Sequence, residues 1–328
     1  MARYAVGLLL LLLVAVIDIR IWFRYAYAIY VIAVVLLVAV ELAGRIGMGA
    51  QRWLVLGPIQ IQPSEIAKVA VILVLARWFH GLSHEEVGKP LKLIWPALLA
   101  LGPAALVAKQ PDLGSALLIC TVTGAIFFLA GVRLWVFGAV IGAGAAVVPI
   151  AWRFLRDYQK QRLLTFLNPE NDPLGSGYHI IQSKIALGSG GVWGKGFLLG
   201  TQSHLQFLPE KQTDFIFTMY AEEFGMAGGI ALIGLYALVL LYGTMIALQS
   251  KSQFGRLVAG GIMATFWVYA FVNMAMVTGL MPVVGEPLPF VSYGGSALMT
   301  LLVSFGLVIN VYVHRDVWVG RYGIGDGG

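Results

Sequence analysis

The acid best placed for chemistry is Asp214. It stands where a long polar stretch gives way to an apolar run, flanked by Thr213 and by Phe215, Ile216 and Phe217. A carboxylate at such a water–lipid boundary is partly desolvated, which raises its pKa and makes it a better proton acceptor, while Lys211 pulls the other way. Thr-Asp ahead of an apolar helix is also an ordinary N-cap with an acid suited to the helix dipole, and both readings stand. Gln62-Pro63-Ser64-Glu65-Ile66-Ala67-Lys68 opens another apolar run. Pro63 falls at a first-turn position, and Glu65 and Lys68 share one helix face. Lys68 lies about a turn inside, where an ionisable side chain is a functional candidate with Glu65 as its partner. A capping glutamate and a snorkelling lysine are the plainer alternative.

Four further positions carry weaker signals. Asp112, after Lys109 and the Gln110-Pro111 step, starts a helix, and its fit to the N-terminal dipole is the stronger reading. Arg52 beside Trp53 offers a bidentate phosphate donor next to an interfacial aromatic. Gly188 to Gly196, with Lys195 inside it, has the backbone amides and one ammonium to meet a phosphate, or is a flexible turn. Glu222 and Glu223 lie two turns beyond Asp214 inside an apolar run, so at least one faces the interior and needs a polar partner.

Other chemistries lack their residues. The five histidines include no HExxH, no GxxxxGK[ST] or GxSxG occurs, and the single cysteine, Cys120, sits in an apolar run and reads as packing. The 328 residues are 59% hydrophobic and 12% charged, with mean hydropathy +0.84. A soluble domain is about 45 to 50% apolar and about 25% charged, so this is a membrane protein. Roughly 190 apolar residues at about 20 per span provide for about nine spans. The net charge of +6 suits phosphate-bearing partners or anionic headgroups, and nucleic acid is not expected as a partner.

The elements that must position these residues follow from the apolar runs at about 4–17, 25–43, 66–82, 92–108, 113–132, 134–152, 215–248, 257–280 and 296–313. The predicted fold is an all-α polytopic membrane protein of about nine transmembrane helices. The first is a retained helix, because Asp18 and Arg20 follow it with no small-residue cleavage site. Arg20 and Arg24, Arg77 with Lys89 and Lys92, Arg133, Lys251 with Arg256, and Arg315 with Arg321 mark alternate loops as cytoplasmic, which puts the C-terminus there. The outer face then receives 44–62, the turn from Gln110 to Gly114, a long loop at about 153–214, and the turn at about 281–295. That long loop is basic, against the usual charge rule. The rule is weakest for long loops, and binding an anionic headgroup or diphosphate explains the excess, as does anchoring on lipid alone. Its middle, Gly177 to Leu187, is too short to span and reads as an interfacial helix. No repeat is evident, so residues 1–328 read as a single integral membrane domain.

The strings AQRW, QPSEIAK, QPDLGS, DYQKQR, NPENDPLGSGYHIIQSKIA, GSGG, GKG, GTQSHLQFLPEKQTDFIF, AEEFG and PLPFVSYGGSA, spread from about residue 50 to 300, together resemble the SEDS (shape, elongation, division and sporulation) polymerases. GYHIIQSKIA with GKG resembles the elongation branch. The resemblance implies a peptidoglycan glycosyltransferase of the cytoplasmic (inner) membrane, with its active site on the outer face. It would link lipid II disaccharides into a glycan strand beside a class B penicillin-binding protein. It implies Asp214 as the essential acid, Glu65 and Lys68 as the acid and base of the PSEIAK motif, and Arg52 as the AQRW arginine. It also implies ten spans, one more than counted, with the family's first helix missing before about residue 4. Arg52, Glu65, Lys68, Asp112, His179, Gln182, Lys195 and Lys211 are the substrate-binding candidates. Glu286, between Gly285 and Pro287, departs from the neutral residue expected there.

An α-linked diphosphate donor and a β-linked product imply a single inverting displacement, for which one general base suffices. Asp214 would take the proton of the acceptor's 4-hydroxyl, while basic residues or a divalent cation, Mg or Mn, offset charge on the leaving diphosphate. Two other classes remain open at this level: a lipid-linked precursor flippase, and a noncatalytic scaffold for the penicillin-binding protein. A flippase would carry its polar site near the midplane on broken helices.

Overall fold

A computed structural model describes residues 2–47, 50–56, 59–154, 157–168, 176–200 and 212–320. The elements in order are α1 (Ala2–Val16), α2 (Ile19–Ala43), β1 (Arg45–Gly47), β2 (Ala50–Leu56), β3 (Ile59–Ile61), α3 (Pro63–His80), α4 (His84–Val87), α5 (Pro90–Lys109), α6 (Leu113–Ala130), α7 (Leu134–Phe154), α8 (Asp157–Leu167), α9 (Ser176–Ser189), α10 (Ile216–Gln249), α11 (Gln253–Val277) and α12 (Gly295–Val313). By length and composition α2, α5, α6, α10, α11 and α12 can cross a membrane, and α1 and α7 contain shorter apolar stretches. Large apolar side chains such as Leu9, Leu12, Val35, Leu98 and Leu241 lie more than half exposed on these helices, as a lipid-facing surface requires. Contacts divide the chain into two compact units, Met1–Phe137 with Leu240–Val268 and Gly295–Gly328, and Gly138–Val239 with Tyr269–Gly294.

In the first unit α3 is the central helix, packed on α2, α5 and α6. Its run Ala70 to Ala76 is buried on every side, which is why it tolerates Glu65, Lys68 and Arg77 where a lipid-facing helix would not. The helix starts carry their own signals: Asp18 caps α2 by accepting from Arg20 N (2.7 Å), and Pro63 and Pro90 stand in the first turns of α3 and α5. Edge-to-face rings fill the core, Phe23 on Phe254 and Phe79 on Phe127 with centroids 5.2 and 5.1 Å apart. α1 packs along α12, where the buried Asn310 amide donates to the carbonyls of Val14 (3.0 Å), Ala15 (3.1 Å) and Ile17 at the end of α1. The stretch expected only as an outer loop, 44–62, contains an antiparallel three-stranded sheet in the order β1-β2-β3.

The second unit contains a splice. At 34 residues α10 would run about 51 Å, well beyond a hydrocarbon core of about 30 Å, and Gly225 interrupts it at φ 66°, ψ −165°. In an unbroken helix Met226 N–H would bond Glu222 O, and Ala227 N–H would bond Glu223 O. The glycine-rich turn after α9 takes up all four groups instead. Lys195 N and Gly196 N donate to Glu222 O and Glu223 O, while Met226 N and Ala227 N donate to Gly191 O and Val192 O, at 2.9 to 3.0 Å. These four backbone groups, opened by the break, are thereby satisfied. A Cβ on Gly194 would lie 2.7 Å from the Gly225 nitrogen, so the two backbones meet only as glycines.

Candidate active site

In the first unit, residues scattered through the sequence converge at one polar end. β2 carries Arg52, whose guanidinium donates to the Pro111 carbonyl and lies 3.9 Å from Asp112 Oδ1. Asp112 caps α6, accepting from Ser115 N (3.4 Å), and Gln62 Nε2 approaches its other oxygen at 3.5 Å. Asp112 is thus a helix cap that also meets Arg52 and Gln62. In the first turns of α3, Lys68 Nζ donates to Glu65 Oε1 at 2.8 Å, with the two side chains 3% and 7% exposed. Arg52 Nε is buried without a hydrogen-bond partner.

The second unit holds Asp214 in a different way. Asp214 is half-buried and stands two residues ahead of α10. Asn273, fully buried on α11, donates through Nδ2 to the carbonyl of Asp214 (2.9 Å) and to the carbonyl of Glu286 (2.8 Å). The segment 285–293 is stitched to the same strand of chain. Ser292 Oγ donates to Thr213 O (2.6 Å) and accepts from Leu288 N (2.7 Å), and Tyr293 N donates to Gln212 O (2.8 Å). Tyr236 Oη donates to Pro289 O at 2.7 Å. Gly285, at φ +84°, passes so close that a Cβ there would sit 3.3 Å from Asp214 Oδ2. Glu286 is buried at 4% exposure.

α9 packs against the same region. The short helix expected at Gly177–Leu187 is present over Ser176–Ser189, and Ser183 Oγ bonds Thr218 Oγ1 (2.7 Å) and Val277 O (2.8 Å). The His179 ring lies 6.2 Å from that of Phe215, next to Asp214, with Gln182 one turn along and partly buried. Lys195 Nζ bonds Glu222 Oε1 at 2.7 Å, and Glu222 is fully buried. Lys195 is thus the polar partner that Glu222 requires, and the amides of Lys195 and Gly196 are spent on the helix splice rather than on a phosphate cradle. Lys211 lies outside the described residues. Among the described residues no three His, Cys, Asp or Glu side chains converge to hold a metal ion, so a divalent cation has no protein cage of its own there.

Sequence reasoning missed Gln62, Asn273 and Ser292. Asn273 had a usable signal, as the one amide side chain in the run 257–280. An amide at that depth must be bonded to something.

Over residues 1–317 the chain matches the family described as cell cycle protein, FtsW, RodA and SpoVE. It belongs to that family. The peptidoglycan glycosyltransferase MrdB of Escherichia coli (strain K12) is 49% identical over 317 residues, 96% of this chain and 85% of that protein. A chain in a structure concerned with coordination of polymerization and crosslinking by a peptidoglycan synthase complex is 33% identical at a TM-score of 0.82, covering 96% of this chain and 88% of that one. The crystal structure of the rod shape determining protein RodA of Thermus thermophilus is 30% identical at a TM-score of 0.71, covering 96% and 87%. The SEDS resemblance read from the motifs is therefore correct, and its RodA branch is represented among these relatives.

Proposed function

We propose that this chain is a peptidoglycan glycosyltransferase that polymerises lipid II into glycan strands during cell elongation, with Asp214 as its general base. The 49% identity to a named peptidoglycan glycosyltransferase supports the reaction class. The single observation that supports Asp214 is its mounting: a half-buried carboxylate whose main chain is pinned by a fully buried amide and whose side chain lies against a glycine turn. Such a group is fixed in place without being sealed from the outer surface, as proton transfer from a substrate demands.

In the reaction Asp214 accepts the proton of the acceptor's 4-hydroxyl. That oxygen bonds to the anomeric carbon of the donor, and the bond from that carbon to the diphosphate breaks with inversion. Undecaprenyl diphosphate leaves with the electron pair. Of the basic candidates, Lys68 and Lys195 are bonded to Glu65 and Glu222, and Arg52 keeps a buried Nε with no hydrogen-bond partner, which supports it as a donor to an anionic group. The partner is a class B penicillin-binding protein, supported by the similarity to a chain of a peptidoglycan synthase complex. The protein sits in the cytoplasmic membrane with Asp214 on the outer face and the C-terminus inside, as the alternation of basic loops supports.

The deciding experiment is polymerisation of labelled lipid II by purified protein, alone and with its transpeptidase-dead partner, comparing native protein with Asp214→Ala and Asp214→Asn after both are shown to fold and bind the partner. Long strands from the native protein and none from the variants are expected. Undiminished strands from the variants would reduce Asp214 to a helix cap, and no strands under any condition would favour a flippase or scaffold.

A further inference from the structure

The first unit contains a cleft of about 170 Å³ that plays no part in the chemistry above. It lies between the C-terminal ends of α10 and α12 and is lined by Tyr242, Met245, Ile246 and Gln249 on one helix, and Tyr312 and Arg315 on the other. The two ends are level with one another, because Lys251 N donates to Arg315 O at 3.0 Å and Lys251 Nζ meets Asp316 at 2.7 Å. Tyr242, Met245, Ile246 and Gln249 recur at three- and four-residue spacing and so line one face. The seven-residue rise from Tyr242 to Gln249 runs about 10 Å down into the apolar zone.

Polarity changes along that length. The deep end is apolar, with Ile246 buried as its floor and Tyr242 and Met245 exposed at 60% and 42% as its lipid-side lip. The upper end presents the Gln249 amide and the Arg315 guanidinium, which stacks 4.9 Å from the Tyr312 ring centroid. Asp316 is shared by Lys251 and by Arg315, 3.6 Å away. The Lys251 hydrogen bond first, and the Arg315 charge after it, hold the Asp316 carboxyl below the ordinary range, so the trio carries one net positive charge.

We propose that this cleft is a phospholipid site in which one acyl chain lies along Tyr242, Met245 and Ile246 and the phosphodiester meets Arg315 and Gln249. The polarity gradient fits an amphiphile, the single net charge fits a phosphodiester monoanion, and the position at two span ends fits the headgroup plane. A soluble phosphate would use only the upper end, and a diacylglycerol only the lower.

The test is native mass spectrometry of the full-length protein in detergent, titrated with phosphatidylglycerol, with diacylglycerol, and with glycerol 3-phosphate. One phosphatidylglycerol per chain is expected to persist, with the other two retained at least about tenfold less. Arg315→Gln and Gln249→Glu should each weaken retention about tenfold, whereas Arg256→Gln, an exposed arginine outside the cleft, should leave it unchanged. Equal retention of diacylglycerol, binding of glycerol 3-phosphate alone, or equal loss in the Arg256 and Arg315 variants would each overturn the proposal.

Discussion

The two polar regions are built on opposite principles. Around α3 in the first unit, side chain answers side chain: Lys68 meets Glu65, and Arg52 and Gln62 meet Asp112. Around Asp214 in the second unit, side chains answer backbone: Asn273 and Ser292 bond the carbonyls of Asp214, Glu286 and Thr213. The first arrangement neutralises charge that burial would otherwise make costly. The second fixes the main chain of the segment that carries Asp214. Breaking the first strands a charge, whereas breaking the second orphans a carbonyl.

Replacing Asp214 gives the widest contrast. Asp214→Asn should lower the polymerisation rate by about 10²- to 10⁴-fold with little change in thermal stability, read by strand synthesis and scanning fluorimetry on the same preparation. A parallel loss of melting temperature would merge the two regions into one structural role. Next in size is Lys68→Met, which strands the buried Glu65 and should cost about 3 to 5 kcal/mol of stability. The double variant Glu65→Gln with Lys68→Met should recover most of that stability without recovering strand synthesis. Recovery of both would make the pair purely structural.

Asn273→Ala should cost about 1 to 3 kcal/mol for the carbonyls it orphans, and should lower kcat more than it raises KM, since Asp214 would be less well placed. Gln62→Ala, which removes a long 3.5 Å contact to Asp112, should cost less than about 1 kcal/mol in the same melt. The smallest effect belongs to Glu86, outside both regions, in the capping box that Ser83 opens at α4. Its hydrogen bond to Lys92, and then that from Ser83 N, hold the carboxyl at about 2, against 4.5 ordinarily. The stability this adds is present above pH 4.5 and is lost as the pH falls toward about 2. Glu86→Gln should therefore melt below the native protein at pH 6, with the difference closing across that interval.

Most of the helical frame was legible, for a physical reason: a span needs an apolar run of a length that little else in a sequence imitates. The run at 134–152 became α7, and 296–313 became α12, within a residue or two. Asp214, Glu65 and Lys68 stood out because a charge beside or inside such a run demands an account, and Arg52 because it neighbours Trp53. What escaped notice depends on pairings between distant segments. The strands β1 to β3 are three to seven residues long and alternate too briefly to register. α8 begins Asp157-Tyr158-Gln159-Lys160, with no apolar stripe to announce it. Glu222 declared its need for a partner, but Lys195 comes from 27 residues away, across a backbone splice that no local pattern encodes.

The Asn310 amide has a consequence for how the chain is assembled in the cell. Its partners at the end of α1 lie up to 296 residues earlier in the chain. At roughly 5 to 20 residues per second, α1 emerges about 15 to 60 s before the side chain that satisfies its last carbonyls has been synthesised. Until then those groups have to be accommodated by the insertion machinery, by lipid headgroups or by water. Ribosome stalling or a nonsense mutation anywhere before Asn310 thus leaves the last carbonyls of α1 without the side chain that satisfies them.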